Sequence, residues 1–197
     1  KSSNLSLELS CAVATYLLDH TYMRIGSAEY ASDNNSYGLS TIRAKHVSIN
    51  GSRVIFEYEG KSGVLQSRVV NDKTVSNIIK VMNKMPGYEV FKYVNDDGEV
   101  CDVTAGDVNS FIKQHSSGQI TAKDFRTWHA GVEAIRYYQA LNDVDDFKLT
   151  DLYEYVASKL GNTASVTRDH YIHPNVIDWL QSGQKLPTAR NSKWLSK

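Results

Sequence analysis

A change in hydrophobic period near position 70 constrains the fold of this chain more than any other sequence feature. Between Tyr37 and Val70 apolar and polar residues alternate, which is typical of half-buried β-strands. The pair Asn50-Gly51 and the segment Gly60-Lys61-Ser62-Gly63 separate the alternating runs and predict turns. We therefore predict a small antiparallel sheet of three to four strands over residues 37–70, with Lys61 at the tip of its last hairpin. The candidate strands are 38–42, 46–49, 53–58 and 64–70.

Apolar residues at helical spacing characterise most of the remaining chain. Leu9, Val13 and Leu17 recur on one face and predict a leading helix within residues 1–21. Ser32-Asp-Asn-Asn-Ser36 is rich in turn formers, which predicts that any regular element ends there in a loop, and residues 90–100 predict a short hairpin or loop. A helical part follows over residues 71–182, so the predicted fold class is α+β and mostly helical. Its helices are expected near 72–85, 104–116, 121–141, 149–160 and 174–182.

Composition excludes several classes of protein. The 197 residues suffice to bury a core, and the longest apolar run, Cys11 to Leu18, is far shorter than the roughly 18 residues of a membrane-spanning helix. Cys11 and Cys101 lack the spacing of zinc ligands and fit reduced thiols in a cytoplasmic protein. The 22 basic and 22 acidic residues cancel, which argues against binding of nucleic acid by bulk charge but permits a local basic groove.

Sequence motifs for nucleotides and metals are absent. The chain has no GxxxxGK[ST] loop, no GxGxxG after a strand and no HExxH pair. Gly60-Lys61-Ser62-Gly63 is too short for a phosphate-binding loop and joins two predicted strands, so it is interpreted as a hairpin turn. We therefore expect no cofactor, no nucleotide and no metal.

Basic and aromatic residues at the ends of predicted elements indicate more about function than these absent motifs do. Arg24 follows the first helix, Lys61 lies on a hairpin, Arg126 belongs to Lys123-Asp-Phe-Arg-Thr-Trp128, and Tyr171 ends a glycine-led segment. Each residue alone is most simply a surface cation or a core tyrosine.

In combination and in this order, these motifs resemble type IB DNA topoisomerases of the poxvirus and bacterial kind. The similarity extends from about Met23 to Pro174. It implies the catalytic fold that these enzymes share with tyrosine recombinases. It also implies an ATP- and metal-independent enzyme that nicks one strand of duplex DNA, holds a 3′-phosphotyrosyl link, relaxes supercoils and reseals the strand. The matching segments are Arg24-Ile-Gly26, Tyr30, Asn35-Ser-Tyr-Gly-Leu39-Ser-Thr-Ile-Arg43, His46-Val47, Gly60-Lys61, Lys123-Asp-Phe-Arg126-Thr-Trp128, Leu160-Gly-Asn162 and Tyr171-Ile-His-Pro174.

The resemblance also implies a role for each matching residue. Tyr171 corresponds to the nucleophile, Arg24 and Arg126 to the arginines that clamp the phosphate, and Lys61 to the general acid. Asn162 stands where the poxvirus enzymes carry a histidine, and the bacterial-type branch resembles this chain in having asparagine there.

The resemblance implies DNA contacts for two further residues. Tyr30 matches a position that touches DNA in the poxvirus enzymes. Lys123 matches a basic neighbour of the second arginine. Ser27 departs from the poxvirus pattern, which has a lysine there.

The chemistry of these residue types agrees with such roles. Attack on a phosphodiester builds negative charge on its non-bridging oxygens. The forked N–H donors of Arg24 and Arg126 are suited to stabilise this charge without a metal ion. The leaving 5′-oxygen needs a proton, which Lys61 is suited to deliver. Asn162 can donate one amide hydrogen bond but cannot shuttle a proton as a histidine can.

Two alternatives remain open at the level of sequence. A tyrosine recombinase shares the Arg, Lys, Arg and Tyr set, but it usually carries His-x-x-Arg where this chain has Lys123-Asp-Phe-Arg126. In a non-catalytic DNA-binding module of the same fold, at least one of the five catalytic positions would carry a residue that cannot perform its chemical role. Among the five, only Asn162 departs from the poxvirus pattern. We expect residues 1–197 to form a catalytic domain that acts on duplex DNA as a monomer, without the family's N-terminal DNA-clamping domain.

Overall fold

The computed structural model describes residues 5–183, except for the side chain of Val144, and confirms a mostly helical α+β fold. The predicted boundaries at residues 1 and 197 lie outside the described residues. The helices are α1 (Leu7–Thr21), α2 (Ala28–Asn34), α3 (Lys73–Met82), α4 (Ala105–Gln114), α5 (Ala122–Gln139), α6 (Leu149–Leu160), α7 (Ala164–His170) and α8 (Pro174–Gln181). The strands are β1 (Val47–Asn50), β2 (Arg53–Glu59), β3 (Leu65–Asn71), β4 (Lys92–Val94) and β5 (Val100–Asp102).

The predicted small sheet is present as three antiparallel strands in the order β1-β2-β3. Val54, Phe56 and Tyr58 of β2 are buried while Arg53 and Glu57 are exposed, so the alternation in the sequence follows the two faces of the sheet. Between β2 and β3 a tight turn places Lys61 at the hairpin, as predicted.

The predicted strand at 38–42 is wrong, because Leu39–Thr41 forms a single 3-10 turn. The amides of Leu39 and Ser40 donate to the carbonyls of Arg24 and Ile25, both at 2.8 Å, instead of joining a ladder. This segment is buried on all sides, so its apolar residues mimic a strand in the sequence.

Two short helices, α2 and α7, lie where the sequence pattern predicted none. Each has only seven residues, too few for the hydrophobic period to register. Turn-forming residues end α2, whose last turn runs into Asn35 at a positive φ of 49°. Thr163 caps α7 by accepting from the amide of Val166 at 3.3 Å. The predicted hairpin or loop at 90–100 is a hairpin made by β4 and β5.

The chain divides into two compact units, Lys1–His129 and Ala130–Lys197, with the division inside α5. The first unit contains both sheets and a core in which Leu17, Leu18, Phe56 and Ile79 are fully buried. The second unit has its own buried residues, which include Ala134 of α5, Leu152, Val156 and Leu160 of α6, and Leu180 of α8. Within residues 5–183, no helix combines the length and the apolar character that crossing a bilayer requires.

A close backbone crossing fixes the path of the chain after α1. Gly26 has a positive φ of 89° and lies against Gly38 of the 3-10 segment. A Cβ atom at position 38 would lie 2.5 Å from the Cα atom of Gly26 and 2.7 Å from the carbonyl oxygen of Arg24. Only glycine at position 38 allows this approach, and the crossing therefore holds the backbone of Arg24.

We predict that Gly38→Ala lowers the free energy of unfolding by about 1 to 3 kcal/mol, the usual cost of forcing extra atoms into a packed site. The clash is with backbone atoms, so the chain beside Arg24 must move to relieve it. Urea denaturation measures the change. Gly118→Ala is the matched control, because a Cβ atom there meets only Ile120 at an ordinary 3.9 Å. Equal stability of the two variants would contradict a tight crossing.

Candidate active site

Arg24 lies on the short segment that leaves the C-terminal end of α1. Tyr22 ends the helix in the left-handed conformation, with φ 58°, and turns the chain toward Arg24. The Arg24 carbonyl then accepts from the amide of Leu39 at 2.8 Å, while its half-buried side chain extends from a backbone held on both sides. The backbone from which this side chain extends is therefore positioned by non-local contacts.

Arg126 lies in the first turns of α5 and is only 3% exposed. Its Nη1 atom donates to the carbonyl of Tyr22, the residue that ends α1. The start of α5 is fixed by the Asp124 carboxylate, which accepts from the amide and hydroxyl of Thr121 at 2.8 and 2.7 Å. These bonds from Thr121 hold the pKa of Asp124 below its usual range.

Tyr58 of β2 lies within electrostatic reach of both arginines. The phenol is 6% exposed, and burial raises its pKa, whereas the positive charges of Arg68, Arg126 and Arg24 act in the opposite direction. Arg68 also forms a hydrogen bond with the phenol oxygen. Arg24 and Arg126 come from distant parts of the sequence, and the fold brings both charges within electrostatic reach of one side chain.

Lys61 is exposed in the turn between β2 and β3. The segment that precedes the 3-10 turn fixes this hairpin from the side, because the Tyr37 amide donates to the Glu59 carbonyl at 2.8 Å and the Ser36 hydroxyl donates to the Gly60 carbonyl at 3.0 Å. Residues 36–40 therefore contact both the backbone of Arg24 and the base of the turn that carries Lys61.

The two predicted DNA-contact residues lie on the surface of the same unit. Tyr30 is on α2 and 54% exposed, and Lys123 is exposed in the first turn of α5. A large aromatic ring and an amino group at such positions are available to a nucleic-acid backbone.

Asn162 and Tyr171 belong to the second unit and flank α7. Gly161 ends α6 with φ 64°, and the Asn162 amide donates to the carbonyl of Ala157 at 2.9 Å. Tyr171 is the residue that ends α7, and its amide donates to the carbonyl of buried Thr167 at 3.1 Å. Both side chains are half-buried, and each backbone is fixed by a helix end.

Three residues around the arginines were missed by the sequence analysis. Tyr58, Gln66 and Arg68 all lie at inward positions of β2 and β3. The only signal in the sequence was the presence of Gln66 and Arg68 at alternating positions that otherwise call for apolar side chains. Within residues 5–183 no group of three or more His, Cys, Asp or Glu side chains is arranged to hold a metal ion.

A second contact joins the end of α1 to α5 beside Arg126. His129 Nε2 donates to the Asp19 carboxylate at 2.7 Å, and the His129 ring stacks on the Tyr22 ring with centroids 4.4 Å apart. Tyr22 thus accepts from Arg126 through its carbonyl and contacts His129 through its ring. This arrangement restrains the residue from which the Arg24 segment starts.

Comparison with known proteins supports a common origin for this arrangement. Residues 2–191 match the family model described as the catalytic core of eukaryotic DNA topoisomerase I. The chain is 26% identical over 175 residues to DNA topoisomerase 1B of Acanthamoeba polyphaga mimivirus, which covers 81% of this chain and 51% of that protein. It is 30% identical over 122 residues to DNA topoisomerase 1 of Candidozyma auris, covering 60% of this chain and 15% of that protein.

The matches differ in how much of each relative they include. This chain spans about half the length of the mimivirus protein. For DNA topoisomerase 1 of Candida albicans the identity is 28% over 124 residues, again with 60% of this chain and 15% of the relative covered. The resemblance inferred from the motifs is confirmed by these findings.

We predict that Asp19→Ala lowers the free energy of unfolding by about 1 kcal/mol, because it removes a hydrogen bond to a mostly buried histidine. This loss of stability is small for a hydrogen bond to a charged acceptor, because the Asp19 side chain is 45% exposed to solvent. The midpoint of urea unfolding reports the change. Asp96→Ala, which removes an exposed aspartate from the turn between β4 and β5, is the control. An equal midpoint for both variants would show that the Asp19–His129 pair adds no stability.

Proposed function

The chain belongs to the family of the catalytic core of eukaryotic DNA topoisomerase I, and from this we propose that it relaxes supercoiled duplex DNA by cutting and resealing one strand. The single observation that carries the proposal is that the charges of Arg24 and Arg126, from distant parts of the sequence, both act on the buried side chain of Tyr58. Two guanidiniums brought together by the fold form a site suited to a phosphodiester. The proposed partner is duplex DNA, and the proposed active form is a monomer that needs neither nucleotide nor metal.

Arg24 and Arg126 are the proposed phosphate-binding pair. Each guanidinium presents planar, forked donors that match two phosphate oxygens. As the phosphorus becomes five-coordinate in the transition state, negative charge on its non-bridging oxygens increases, and both cations then bind more strongly than in the ground state. The anchoring of Arg126 to the Tyr22 carbonyl leaves little reorganisation for the reaction itself.

Tyr171 is the proposed nucleophile. Its phenol oxygen attacks phosphorus, the bond from phosphorus to the 5′-oxygen breaks, and the tyrosine proton leaves to solvent or a nearby base. A tyrosine has an ordinary pKa near 10, so attack at neutral pH depends on the positive field around the phosphate. The resulting 3′-phosphotyrosyl bond is itself a phosphodiester, which is why resealing requires no ATP.

Lys61 and Asn162 complete the proposed mechanism. Lys61, on an exposed hairpin, delivers a proton to the departing 5′-oxygen and recovers it when the strand is resealed. Asn162 donates an amide hydrogen bond to a phosphate oxygen. Because an amide does not titrate, its contribution is independent of pH near neutrality, unlike that of a histidine.

DNA contact beyond the reacting phosphate is proposed for Tyr30 and Lys123. Both are exposed on the first unit. With equal numbers of basic and acidic residues in the whole chain, affinity for DNA must come from local placement of cations.

The test is incubation of the protein with negatively supercoiled plasmid in EDTA and without ATP. We expect relaxation and a covalent protein–DNA adduct, and we expect both to disappear in Tyr171→Phe because the attacking oxygen is gone. Arg126→Ala is expected to slow cleavage by about 100-fold or more, the usual effect of removing one donor to transition-state charge. Tyr153→Phe, which removes a hydroxyl from a half-buried tyrosine on α6, is the matched control and should remain active.

Other outcomes identify the competing functions. An adduct without relaxation points to a recombinase-like strand transferase. DNA binding with neither adduct nor relaxation points to a non-catalytic module. Loss of relaxation on chelation would contradict the metal-independent mechanism. The molar mass measured by light scattering during size-exclusion chromatography tests whether the protein is a monomer.

A further inference from the structure

The inward face of β3 carries two polar residues where a core strand normally has apolar ones. Gln66 and Arg68 point to the same side of the sheet as buried Val70, since side chains on a strand alternate between faces. In the register of the hairpin, Tyr58 is opposite Gln66 and Phe56 is opposite Arg68. The sequence therefore places a cation and an amide beside Tyr58 at a considerable cost in desolvation.

Hydrogen bonds hold the Arg68 guanidinium in one orientation. Its Nη2 atom donates to the Gln66 side-chain oxygen at 2.8 Å, and the guanidinium also bonds to the phenol oxygen of Tyr58. Both partners are buried, with Gln66 7% and Tyr58 6% exposed. Arg68 itself is half-buried, so part of its side chain still reaches solvent.

Gln66 also contacts the turn that carries Lys61. A Cβ atom at Gly60 would lie 3.0 Å from Gln66 Cγ, so the Gln66 side chain rests directly on the backbone before Lys61. The amide of Gly60 in turn donates to the Val64 carbonyl at 2.9 Å. Arg68, through Gln66, is thus joined to the base of this hairpin.

The charge of Arg68 lies in an unfavourable electrostatic environment for a purely structural residue. Burial lowers the pKa of Arg68, and the positive charge of Arg24 lowers it further, whereas Tyr58 acts in the opposite direction. Like charges in a partly buried site repel one another, whereas an anion bound between them attracts both. Because buried partners orient the Arg68 guanidinium close to another cation, this position favours the binding of a negatively charged ligand.

We propose that Arg68 is a third phosphate-binding residue that contacts the DNA backbone together with Arg24 and Arg126, with Gln66 and Tyr58 orienting its guanidinium. This inference rests on the proposed function, because it assumes that the ligand of the arginine pair is DNA. A guanidinium has five N–H donors, so bonds to an amide and a phenol oxygen are compatible with further bonds to phosphate.

The test separates phosphate contact from structural support by its dependence on salt. Binding of a short fluorescent duplex is measured by anisotropy over a series of KCl concentrations, with Tyr171→Phe as the parent so that no covalent step interferes. Each phosphate contact contributes about 0.9 to the slope of log affinity against log salt concentration. For Arg68→Gln we expect a slope smaller by about 0.9 and an affinity about tenfold lower at low salt.

Two further variants serve as controls. Arg53→Gln removes an equal charge from an exposed position at the start of β2 and should leave the slope unchanged. Arg68→Lys keeps the charge and should restore the slope. It loses the forked geometry, however, and should therefore cleave a duplex more slowly in the Tyr171 background.

A phosphate scan then locates the contact. Replacing single phosphates of the duplex by neutral methylphosphonates should weaken binding by the parent at one position, where Arg68→Lys and Arg68→Gln show a smaller additional loss. Such non-additivity identifies groups that interact directly. If Arg68→Gln does not fold, the comparison of parent and Arg68→Lys in this scan still decides the question.

The outcomes distinguish the two proposals. In the first outcome the parent binds DNA, the chain with Tyr171 cleaves it, and the Arg68 variants show an unchanged slope and additive losses. That outcome would overturn the role of Arg68 and leave the proposed function intact. A parent that does not bind DNA, and a chain with Tyr171 that forms no adduct, would overturn both. A reduced slope restored by lysine supports the third phosphate contact.

Discussion

The backbone hydrogen bonds of residues 36–40 are the constraint on which the candidate site depends. On one side they hold the carbonyls of Arg24 and Ile25, and on the other they hold the hairpin that carries Lys61. Backbone bonds are short and directional, so they position side chains more accurately than flexible surface contacts do. The approach of Gly38 to Gly26 is needed because these bonds form only when the two chain segments nearly touch. A glycine without a side chain of its own therefore helps to position the backbone that carries Arg24.

Electrostatics explains why such a rigid frame is needed. Arg24, Arg68 and Arg126 all act on Tyr58, and guanidiniums at this proximity repel each other. Without backbone restraint the side chains would separate to reduce the repulsion, and the positive charge proposed to bind one phosphate would be dispersed. The carbonyl of Tyr22 and the oxygens of Gln66 and Tyr58 accept hydrogen bonds from these cations and partly compensate for lost water. In the proposed function, this positive field is the one that would stabilise a phosphodiester in its transition state.

The sequence allowed the longer helices, the three strands of the small sheet and the family to be predicted, but not the short helices α2 and α7 or the contacts that hold the side chains. Long helices and the β2–β3 hairpin have a clear period, and the turn with Lys61 follows from local chemistry. The 3-10 segment at Leu39–Thr41 was mistaken for a strand because its burial comes from contacts with the distant Arg24 segment. Arg68 escaped notice for a related reason, since its partners become visible only when β2 and β3 are aligned in register. Non-local contacts leave few marks on a single sequence.

The two units divide the proposed chemistry between them. Arg24, Lys61 and Arg126 belong to the first unit, while Asn162 and Tyr171 belong to the second. Tyr171 follows the last turn of α7 and is fixed there through the carbonyl of buried Thr167, with buried Ile172 as its neighbour in sequence. The backbone that carries the phenol is thus restrained within the second unit. In the proposed mechanism, binding of the phosphate by Arg24 and Arg126 and attack by Tyr171 are assigned to different side chains, so substitution of the phenol oxygen removes the nucleophile and keeps both guanidiniums.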